Sequence, residues 1–335
     1  MGVSLRAFFD ALQRRLSVDF GVWTRFRVEV CGRLIELRLD SPEAASLLRQ
    51  GMRRHLSDSG REPDAVFYHW TDNCARYVGK ENVSSRWRIE EGGLSLAYTY
   101  GVGFVGSDLD RMIFYDCHDA AYAARRPLEG HLLFYMFSRW ARTEGMIPMH
   151  AAAVGSKGTG VLLGGWSGAG KSTLAAACLL AGMDFVGDDR ILLTGDSRFA
   201  AMPLYDMASL NPDIYDRLEP GLPVISQRGN GKLDMDASSL MSVDSLPVRA
   251  IVLPEISGDD PSISPIPSGR AVTRMVYSML PDAGMERATE LVRTASARLA
   301  GLPAYIFKLG TDVRGNAAFL REFIEKEFCD NVQAE

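Results

Sequence analysis

The stretch of residues 161–189 constrains the fold of this chain more than any other part of the sequence. It opens with the apolar residues 161–163, a run typical of a buried strand, and continues as Gly-Trp-Ser-Gly-Ala-Gly-Lys-Ser at 165–172. This segment fits the phosphate-loop pattern of a glycine, four residues and then Gly-Lys-Ser. Because a strand leads into the loop and a helical segment follows it, the sequence provides the structural context that the motif requires.

Each residue type in this loop has a chemical reason to be there. Glycines allow the tight turns that bring backbone N–H groups around a phosphate. Lys171 supplies a mobile positive charge for the β- and γ-phosphates, and Ser172 offers a hydroxyl to Mg²⁺ at the positive end of a helix. The residues expected to bind the nucleotide are Gly165, Ser167, Gly168, Ala169, Gly170, Lys171, Ser172 and Thr173.

Two adjacent carboxylates follow the loop and its helix. Residues 172–181 are apolar nearly all round and predict a buried helix that ends at Gly182. Residues 183–186 predict a second buried strand, which leads to Asp188 and Asp189. Carboxylates in such a place can hold Mg²⁺ or accept a hydroxyl proton. Because side chains alternate along a strand, we expect the two aspartates to point in different directions and to have different roles.

Length and composition narrow the class of protein. A chain of 335 residues is long enough for two domains, and 47% apolar with 24% charged residues is typical of a globular protein with a substantial core. The formal charge of −5 argues against a nucleic-acid partner. The five cysteines form no CxxC pair, the chain starts without a signal peptide and no apolar span could cross a membrane. We therefore expect a cytoplasmic protein.

Residues 1–126 predict a strand-rich α+β domain. Residues 5–16 have apolar side chains at helical spacing, whereas residues 25–39 alternate and predict a β-hairpin. A helix from Pro42 to about residue 52 is expected, because Ser41 can cap it and proline suits its first position. Further strands are expected at residues 66–70, 85–89, 94–100 and 112–115.

This first portion carries no chemical motif that we identify, and recognition of an acceptor or partner is a role it could have. Its histidines stand apart from one another in the sequence, so each is interpreted as a structural residue rather than a ligand. These histidines are His55, His69 and His118.

Residues 127–330 predict the nucleotide-binding catalytic domain. Residues 127–143 are rich in Leu, Phe and Met and predict a helix packed in the core, and the small residues of 147–154 predict a strand. His150 lies on that strand, next to the strand that leads into the phosphate loop. A lone histidine in such a place is more often a buried structural residue than a functional one.

The chain beyond the aspartates contains one more segment with chemical character. Residues 227–232 form a Gly-rich basic loop, in which Arg228 and Lys232 could clamp the oxygens of a transferring phosphate. The same residues suit the solvated tip of a hairpin equally well. Elsewhere we expect strands at 191–193, 248–253 and 305–308, a turn-rich region at 212–223, a mobile loop at 254–269, and helices at 270–280, 286–299 and 316–328.

These features occur together in a known family. A histidine ahead of the loop, the loop itself, one short helix and an Asp-Asp pair resemble the catalytic domain of HPr kinase/phosphorylase and of the HPr-kinase-like proteins found beside peptide-modification genes. The resemblance covers roughly residues 128–328. It implies an α/β fold, a P-loop kinase domain with the mixed sheet shared with phosphoenolpyruvate carboxykinase, and it implies ATP and Mg²⁺ as cofactors.

The resemblance also implies roles for individual residues. Lys171 and the loop glycines would hold phosphate, and Ser172 would hold Mg²⁺. The aspartates would divide between hydroxyl base and metal ligand, and we favour Asp188 as the base and Asp189 as the ligand, although the sequence does not separate the two. His150 would interact with the acceptor.

Departures from the family favour one branch of it. Thr173 stands where true HPr kinases have a glutamate, so the metal site lacks one carboxylate. Arg228 and Lys232 only stand in for the downstream signature, and the first 120 residues do not resemble the N-terminal domain of the bifunctional enzyme. The chain therefore resembles more closely the HPr-kinase-like branch, whose members resemble serine kinases acting on ribosomal peptide precursors or other small acceptors.

The sequence as a whole predicts a Mg²⁺-ATP-dependent serine kinase whose acceptor is a peptide or small protein. Two alternatives stay open: a kinase for a small hydroxyl compound, and a non-catalytic, ATP-dependent binding partner of a peptide-modification enzyme. GTPases and transporter ATPases are disfavoured, because the chain has neither an Asn-Lys-x-Asp motif nor a Leu-Ser-Gly-Gly-Gln signature. Self-association into a homo-oligomer also stays open.

Overall fold

The computed structural model describes residues 4–19, 23–126, 128–195, 199–279 and 288–330. The chain divides into two compact units, Met1–Met136 and Phe137–Glu335, and each has sheets of its own. Both units combine helices with sheets, so the chain is a mixed α/β protein. Within the described residues, no helix has both the length and the apolar character needed to span a membrane.

The first unit is built on one seven-stranded sheet. Its strands are β1 (Thr24–Val30), β2 (Arg33–Leu39), β3 (Ala65–Asp72), β4 (Trp87–Glu91), β5 (Leu94–Thr99), β6 (Gly103–Asp108) and β7 (Ile113–Asp119). Its helices are α1 (Leu5–Asp19), α2 (Pro42–Gly51), α3 (Ala75–Val78) and α4 (Ala120–Ala123). The strand order is β1-β2-β3-β7-β6-β5-β4, in which β3 is parallel to β2 and β7 and the other neighbours are antiparallel.

Local sequence signals account for the start of this unit. The predicted hairpin of β1 and β2 is confirmed, and its turn has positive φ at both Cys31 and Gly32, as a tight two-residue hairpin loop requires. The predicted cap is also confirmed, because the Ser41 hydroxyl accepts a hydrogen bond from the Ala44 amide at the start of α2. Helix α1 buries the stripe of apolar side chains expected from its spacing.

One strand of this unit was not predicted. β6 begins at Gly103, in a Gly-Val-Gly run that resembles a turn. A Cβ atom at Gly103 would lie 2.0 Å from the Cys117 carbonyl oxygen, so the glycine permits a close approach of β6 to β7. Gly103 therefore indicates a close approach between two paired strands, and not the turn that its sequence context suggests.

The second unit contains a nine-stranded sheet and a three-stranded sheet. The larger sheet has β8 (Ile147–Met149), β9 (Ala152–Ser156), β10 (Thr159–Leu163), β11 (Asp184–Gly187), β12 (Ile191–Leu193), β13 (Ala200–Pro203), β17 (Leu246–Ile256), β18 (Ser262–Ile266) and β19 (Ala304–Leu309). The smaller has β14 (Met207–Leu210), β15 (Val224–Gln227) and β16 (Leu233–Asp236). The helices are α5 (Phe134–Thr143), which begins just before the unit boundary, α6 (Lys171–Leu180), α7 (Pro212–Leu218), α8 (Ser268–Met279), α9 (Ala288–Leu299) and α10 (Val313–Ile324).

The strand that leads into the phosphate loop lies in the middle of the larger sheet. β10 pairs with β9 antiparallel on one side and with β17 parallel on the other, and β11 pairs with β9. Side chains of β10 alternate between two cores: Val161 and Leu163 pack with α6 and α10, whereas Leu162 packs with α8 and α9. Because both faces are covered, the strand is apolar from Val161 to Leu163, as a buried strand of a mixed sheet should be.

Several predicted elements have different bounds in the structure, and the turn-rich region expected at 212–223 contains helix α7. The helix expected at 127–143 begins only at Phe134, and Pro127 lies outside the described residues. The strand expected at 147–154 is interrupted at His150, since β8 pairs with β12 but β9 pairs with β10 and β11. The expected loop at 254–269 contains the end of β17 and all of β18, whose Pro265 is tolerated because β18 pairs with β19 alone.

Truncation of Phe307 tests the core between the sheet and α10. Phe307 is fully buried, and its ring stacks on Phe319 with the centroids 5.7 Å apart. Phe307→Ala should lower the free energy of unfolding by about 3–5 kcal/mol, because the ring leaves a cavity. Urea unfolding measures this loss, and Val224→Ala, at a side chain that is 46% exposed, serves as the control. The packing would be refuted if the two substitutions had equal effects.

Candidate active site

The phosphate loop joins the end of β10 to the start of α6. The loop contains three glycines with positive φ: +119° at Gly165, +84° at Gly168 and +93° at Gly170. Residues other than glycine rarely adopt such values. At Gly170 a Cβ atom would also lie 2.7 Å from Leu309 Cδ1. The loop therefore has a conformation that depends on glycine, and it ends at the N-terminus of α6, where free backbone amides can bind an anion.

The Lys171 side chain is hydrogen-bonded to the backbone of the phosphate loop. Its side chain is buried, and its Nζ donates to the carbonyl oxygens of Gly165 at 2.8 Å and Trp166 at 3.1 Å. Burial lowers the pKa of Lys171, while the charges of Asp189 and Asp188 act in the opposite direction. The ammonium group is thus positioned at the mouth of the loop, where phosphate oxygens could replace the carbonyls.

Asp188 follows β11 and is almost fully buried. Its Oδ2 accepts a hydrogen bond from the Ser209 amide at 3.3 Å, but its buried Oδ1 has no hydrogen-bond partner among the described residues. Burial, and then repulsion by Asp189, raise the pKa of Asp188 to about 6, and Lys232, Arg228 and the nearby Ser172 hydroxyl oppose this shift. A buried carboxylate that interacts with a serine hydroxyl and has one oxygen without a partner fits a Mg²⁺ ligand.

Asp189 has other partners. Its backbone is left-handed, with φ at +71°, and its carboxylate lies between His150 and Arg228. His150 Nε2 is 2.9 Å from Asp189 Oδ1, and the Arg228 guanidinium donates to Oδ2. The adjacent aspartates therefore face different groups: Asp188 faces Ser172 and Ser209, and Asp189 faces His150 and Arg228.

Arg228 is the centre of a buried polar network. Its Nε donates to Asp234 Oδ1 at 2.7 Å and its Nη2 donates to Ser209 Oγ at 2.6 Å. Asp234 in turn accepts hydrogen bonds from the hydroxyls of Ser209 and Ser226, each at 2.8 Å. Burial lowers the pKa of Arg228, but the carboxylates of Asp189 and Asp234 outweigh burial, so the net effect raises that pKa. The guanidinium therefore stays charged.

Lys232 closes the cluster on the side of Ser172. Its Nζ donates to Ser172 Oγ at 3.1 Å. Arg228 and Lys232 lie at the two ends of the β15–β16 loop, and Arg228 is buried at its base rather than solvated at a tip. The Gly-rich basic loop thus brings two cations to the phosphate loop and the aspartates.

The structure brings most of the candidate residues into this one cluster. The contacts described above link seven of them: Lys171, Ser172, Asp188, Asp189, His150, Arg228 and Lys232. The other candidates lie around them. Ser167 and Gly168 are exposed at the outer side of the loop, and Ala169 and Thr173 are half-buried beside it.

Three members of the network were not predicted from the sequence: Ser209, Ser226 and Asp234. They lie on the three strands of the small sheet, where Asp234 of β16 faces Ser209 of β14 and Ser226 of β15. The available signal was the Leu-Asp-Met-Asp run of β16, because aspartate is uncommon in strands and a buried one requires partners.

Comparison with known proteins finds a likeness only at the level of structure. No protein-family model and no curated protein matches this chain. Among solved structures, the chain is similar to the HPr(Ser) kinase/phosphatase from Coxiella burnetii, with a TM-score of 0.28 and 15% sequence identity. The match covers 56% of this chain and 98% of that chain. What the site can do therefore follows from its own residues and their geometry.

Replacing Asp188 by Asn should stabilise the protein when magnesium and nucleotide are absent. Above pH 6 the wild-type carboxylate is charged, and burial and repulsion by Asp189 make that charge unfavourable, whereas an amide has no charge. The folded-state pKa lies above the ordinary 3.8, so the gain should be fully present well above pH 6, decrease as the pH falls through 6 and disappear below 3.8.

Thermal unfolding at a series of pH values measures this gain, at roughly 2–4 °C per kcal/mol. Asp216→Asn, at an exposed position of α7, is the matched control and should change little. A variant at Asp188 that is less stable than the wild type at neutral pH would contradict the account of this carboxyl group.

Proposed function

We propose that the second unit is a P-loop kinase domain of the HPr-kinase-like type, which uses Mg²⁺-ATP to phosphorylate a serine hydroxyl of a peptide or small protein. The observation that carries this proposal is a single buried cluster in which the phosphate loop, an aspartate pair and the basic β15–β16 loop meet. Phosphoryl transfer needs mainly positioning and charge stabilisation, and these parts supply both.

The loop and its helix are suited to the nucleotide phosphates. Backbone amides of the loop and the positive end of α6 would bind the β-phosphate, and Lys171 Nζ would exchange the carbonyl oxygens of Gly165 and Trp166 for phosphate oxygens. Arg228 and Lys232 would stabilise charge on the transferring group, because both lie in the same cluster as Lys171.

Ser172 and Asp188 are the residues that best fit Mg²⁺. Asp188 interacts with the Ser172 hydroxyl and has one buried oxygen without a hydrogen-bond partner among the described residues, whereas both oxygens of Asp189 already have partners. The geometry thus favours Asp188 as the metal ligand, the reverse of the assignment that we favoured from the sequence. A magnesium ion held by Ser172 and Asp188 would neutralise negative charge on the phosphates of the nucleotide.

Asp189 is then the candidate that orients the acceptor hydroxyl and accepts its proton. Its Oδ1 is 2.9 Å from His150 Nε2. Because His150 is only half-buried, an acceptor can reach this side of the cluster from solvent. A loose transition state requires little proton transfer early in the reaction, so a carboxylate that is already charged can serve. His150 would hold the acceptor next to Asp189.

Exposed side chains beside the loop favour a peptide over a small acceptor. Trp166 and Tyr277 are 53% and 54% exposed, and their ring centroids are 6.2 Å apart. A peptide can cover such an open aromatic surface, whereas a small hydroxyl compound requires an enclosed pocket.

Transfer itself is tested with the intact chain, ATP, Mg²⁺ and a library of serine-containing peptides. Mass spectrometry should find phosphoserine products and ADP. Lys171→Ala should lower kcat/KM by about 100-fold or more, since it removes a charge that stabilises the transferred group. The control is Lys157→Ala, a 60% exposed lysine in the turn before β10, which should leave activity unchanged. Phosphate on a small compound alone, or ATP-dependent partner binding without a phosphorylated product, would contradict the proposal.

The two aspartates are separated by comparing Asp188→Asn with Asp189→Asn. Asp189→Asn should leave Mg²⁺-ATP affinity nearly unchanged and slow transfer by about 10²–10⁴-fold, the usual contribution of a positioned base. Asp188→Asn should raise the Mg²⁺ concentration needed for half-maximal nucleotide binding. Calorimetry measures binding and single-turnover kinetics measure transfer. The opposite pattern would make Asp188 the base.

A further inference from the structure

Two histidines of the first unit that stand far apart in the sequence meet at one carboxylate. His69 Nδ1 is 3.0 Å from Asp116 Oδ2, and His118 Nε2 is 3.5 Å from Asp116 Oδ1. Their ligand atoms all lie within 4.8 Å of one another. His69 and Asp116 are buried, while His118 is half-buried. The sequence-based interpretation treated these histidines as isolated, and strand pairing brings them together.

The register of β3 and β7 explains this meeting. The two strands are parallel, and His69 is paired with Asp116. Asp116 and His118 are two residues apart on β7, so both side chains lie on the same face of the sheet. Cys117, between them, points to the opposite face, where its Sγ is 3.6 Å from Cys74 Sγ. The cluster is thus a consequence of a regular sheet rather than of a loop conformation.

We propose that His69, Asp116 and His118 form a binding site for one divalent transition-metal ion, with Zn²⁺ as the ion that fits best. Two imidazoles and a carboxylate are a ligand set of catalytic-type zinc sites, which keep a further position open. Bonds of about 2.0–2.1 Å in tetrahedral geometry place ligand atoms about 3.3 Å apart. The two histidine nitrogens lie 3.0 and 3.5 Å from the two different oxygens of Asp116, distances close to that value, and one ligand atom from each of the three residues lies within 4.8 Å of the others.

A second carboxylate beside His69 supports this site independently. The Asp40 amide donates to the His69 carbonyl oxygen, and Asp40 Oδ2 accepts from the Thr71 amide at 2.8 Å. The remaining oxygen, Asp40 Oδ1, is buried and has no hydrogen-bond partner among the described residues. Asp40 and His69 interact electrostatically. A largely buried negative charge near His69 favours a cation at the adjacent cluster.

Access from solvent is available at His118. Its side chain is 27% exposed, and its ring packs edge-on against Tyr122 with the centroids 5.4 Å apart. An ion can therefore enter on this side, and water can occupy the open position. This proposal concerns the first unit and does not depend on the kinase assignment of the second.

The test uses the intact chain after removal of metal with a chelator. Titration with Zn²⁺, followed by calorimetry, should show one ion bound per chain at the cluster. Co²⁺ in its place should give visible absorption bands of the intensity expected for a site with fewer than six ligands. Asp116→Asn, which preserves shape, and His118→Ala should each weaken Zn²⁺ binding roughly 100-fold or more, because even loss of an outer partner costs 10–100-fold.

His55→Ala is the matched control, a histidine of the same unit whose Nδ1 contacts the Glu29 carbonyl oxygen at 3.0 Å, and it should bind Zn²⁺ as the wild type does. The Co²⁺ spectrum of the unaltered chain keeps the test decisive even if a variant fails to fold. Absence of these bands, or Zn²⁺ binding that survives both substitutions and so belongs to other carboxylates, would overturn the proposal. Asp116 would then be only the hydrogen-bond partner of His69, with His118 beside it.

Discussion

Burial of like charges beside the phosphate loop is the constraint on which the second unit depends. Asp188 and Asp189 are adjacent, with exposed fractions of only 2% and 7%, and two such carboxylates repel each other. They can remain charged only because cations surround them. Arg228, Lys171 and Lys232 fill this role, and each comes from a different place in the chain than the aspartates. The fold of the unit can be understood as the means of holding these charges together.

The three-stranded sheet is therefore part of the site rather than an appendage. β14 and β16 hold Ser209 and Asp234 at facing positions, and these two side chains orient the Arg228 guanidinium toward Asp189. Most groups of the cluster have hydrogen-bond or ion-pair partners within the protein, so the cluster is already assembled before a ligand binds. Asp188 Oδ1 differs, because it is buried and has no hydrogen-bond partner among the described residues. A cation bound to this oxygen would supply the missing interaction.

Sequence patterns predicted what is local and missed what depends on pairing between distant strands. The hairpin of β1 and β2 and the cap at Ser41 were predictable, because turns and caps depend on neighbouring residues. The interruption of a strand at His150 was not, since it results from β8 and β9 pairing with different partners. The roles of Ser209 and Asp234 and the meeting of His69 with His118 were hidden for the same reason. Register between strands is a tertiary property.

The central claim is that the loop binds the phosphates of a nucleotide together with a magnesium ion held at the aspartates. Calorimetric titration of the intact chain with ATP, once with Mg²⁺ and once with excess chelator, tests it most directly. The account predicts one nucleotide per chain, with clearly tighter binding when Mg²⁺ is present, because Asp188 and Ser172 then contribute. No heat of binding in either condition, or an affinity indifferent to Mg²⁺, would contradict it.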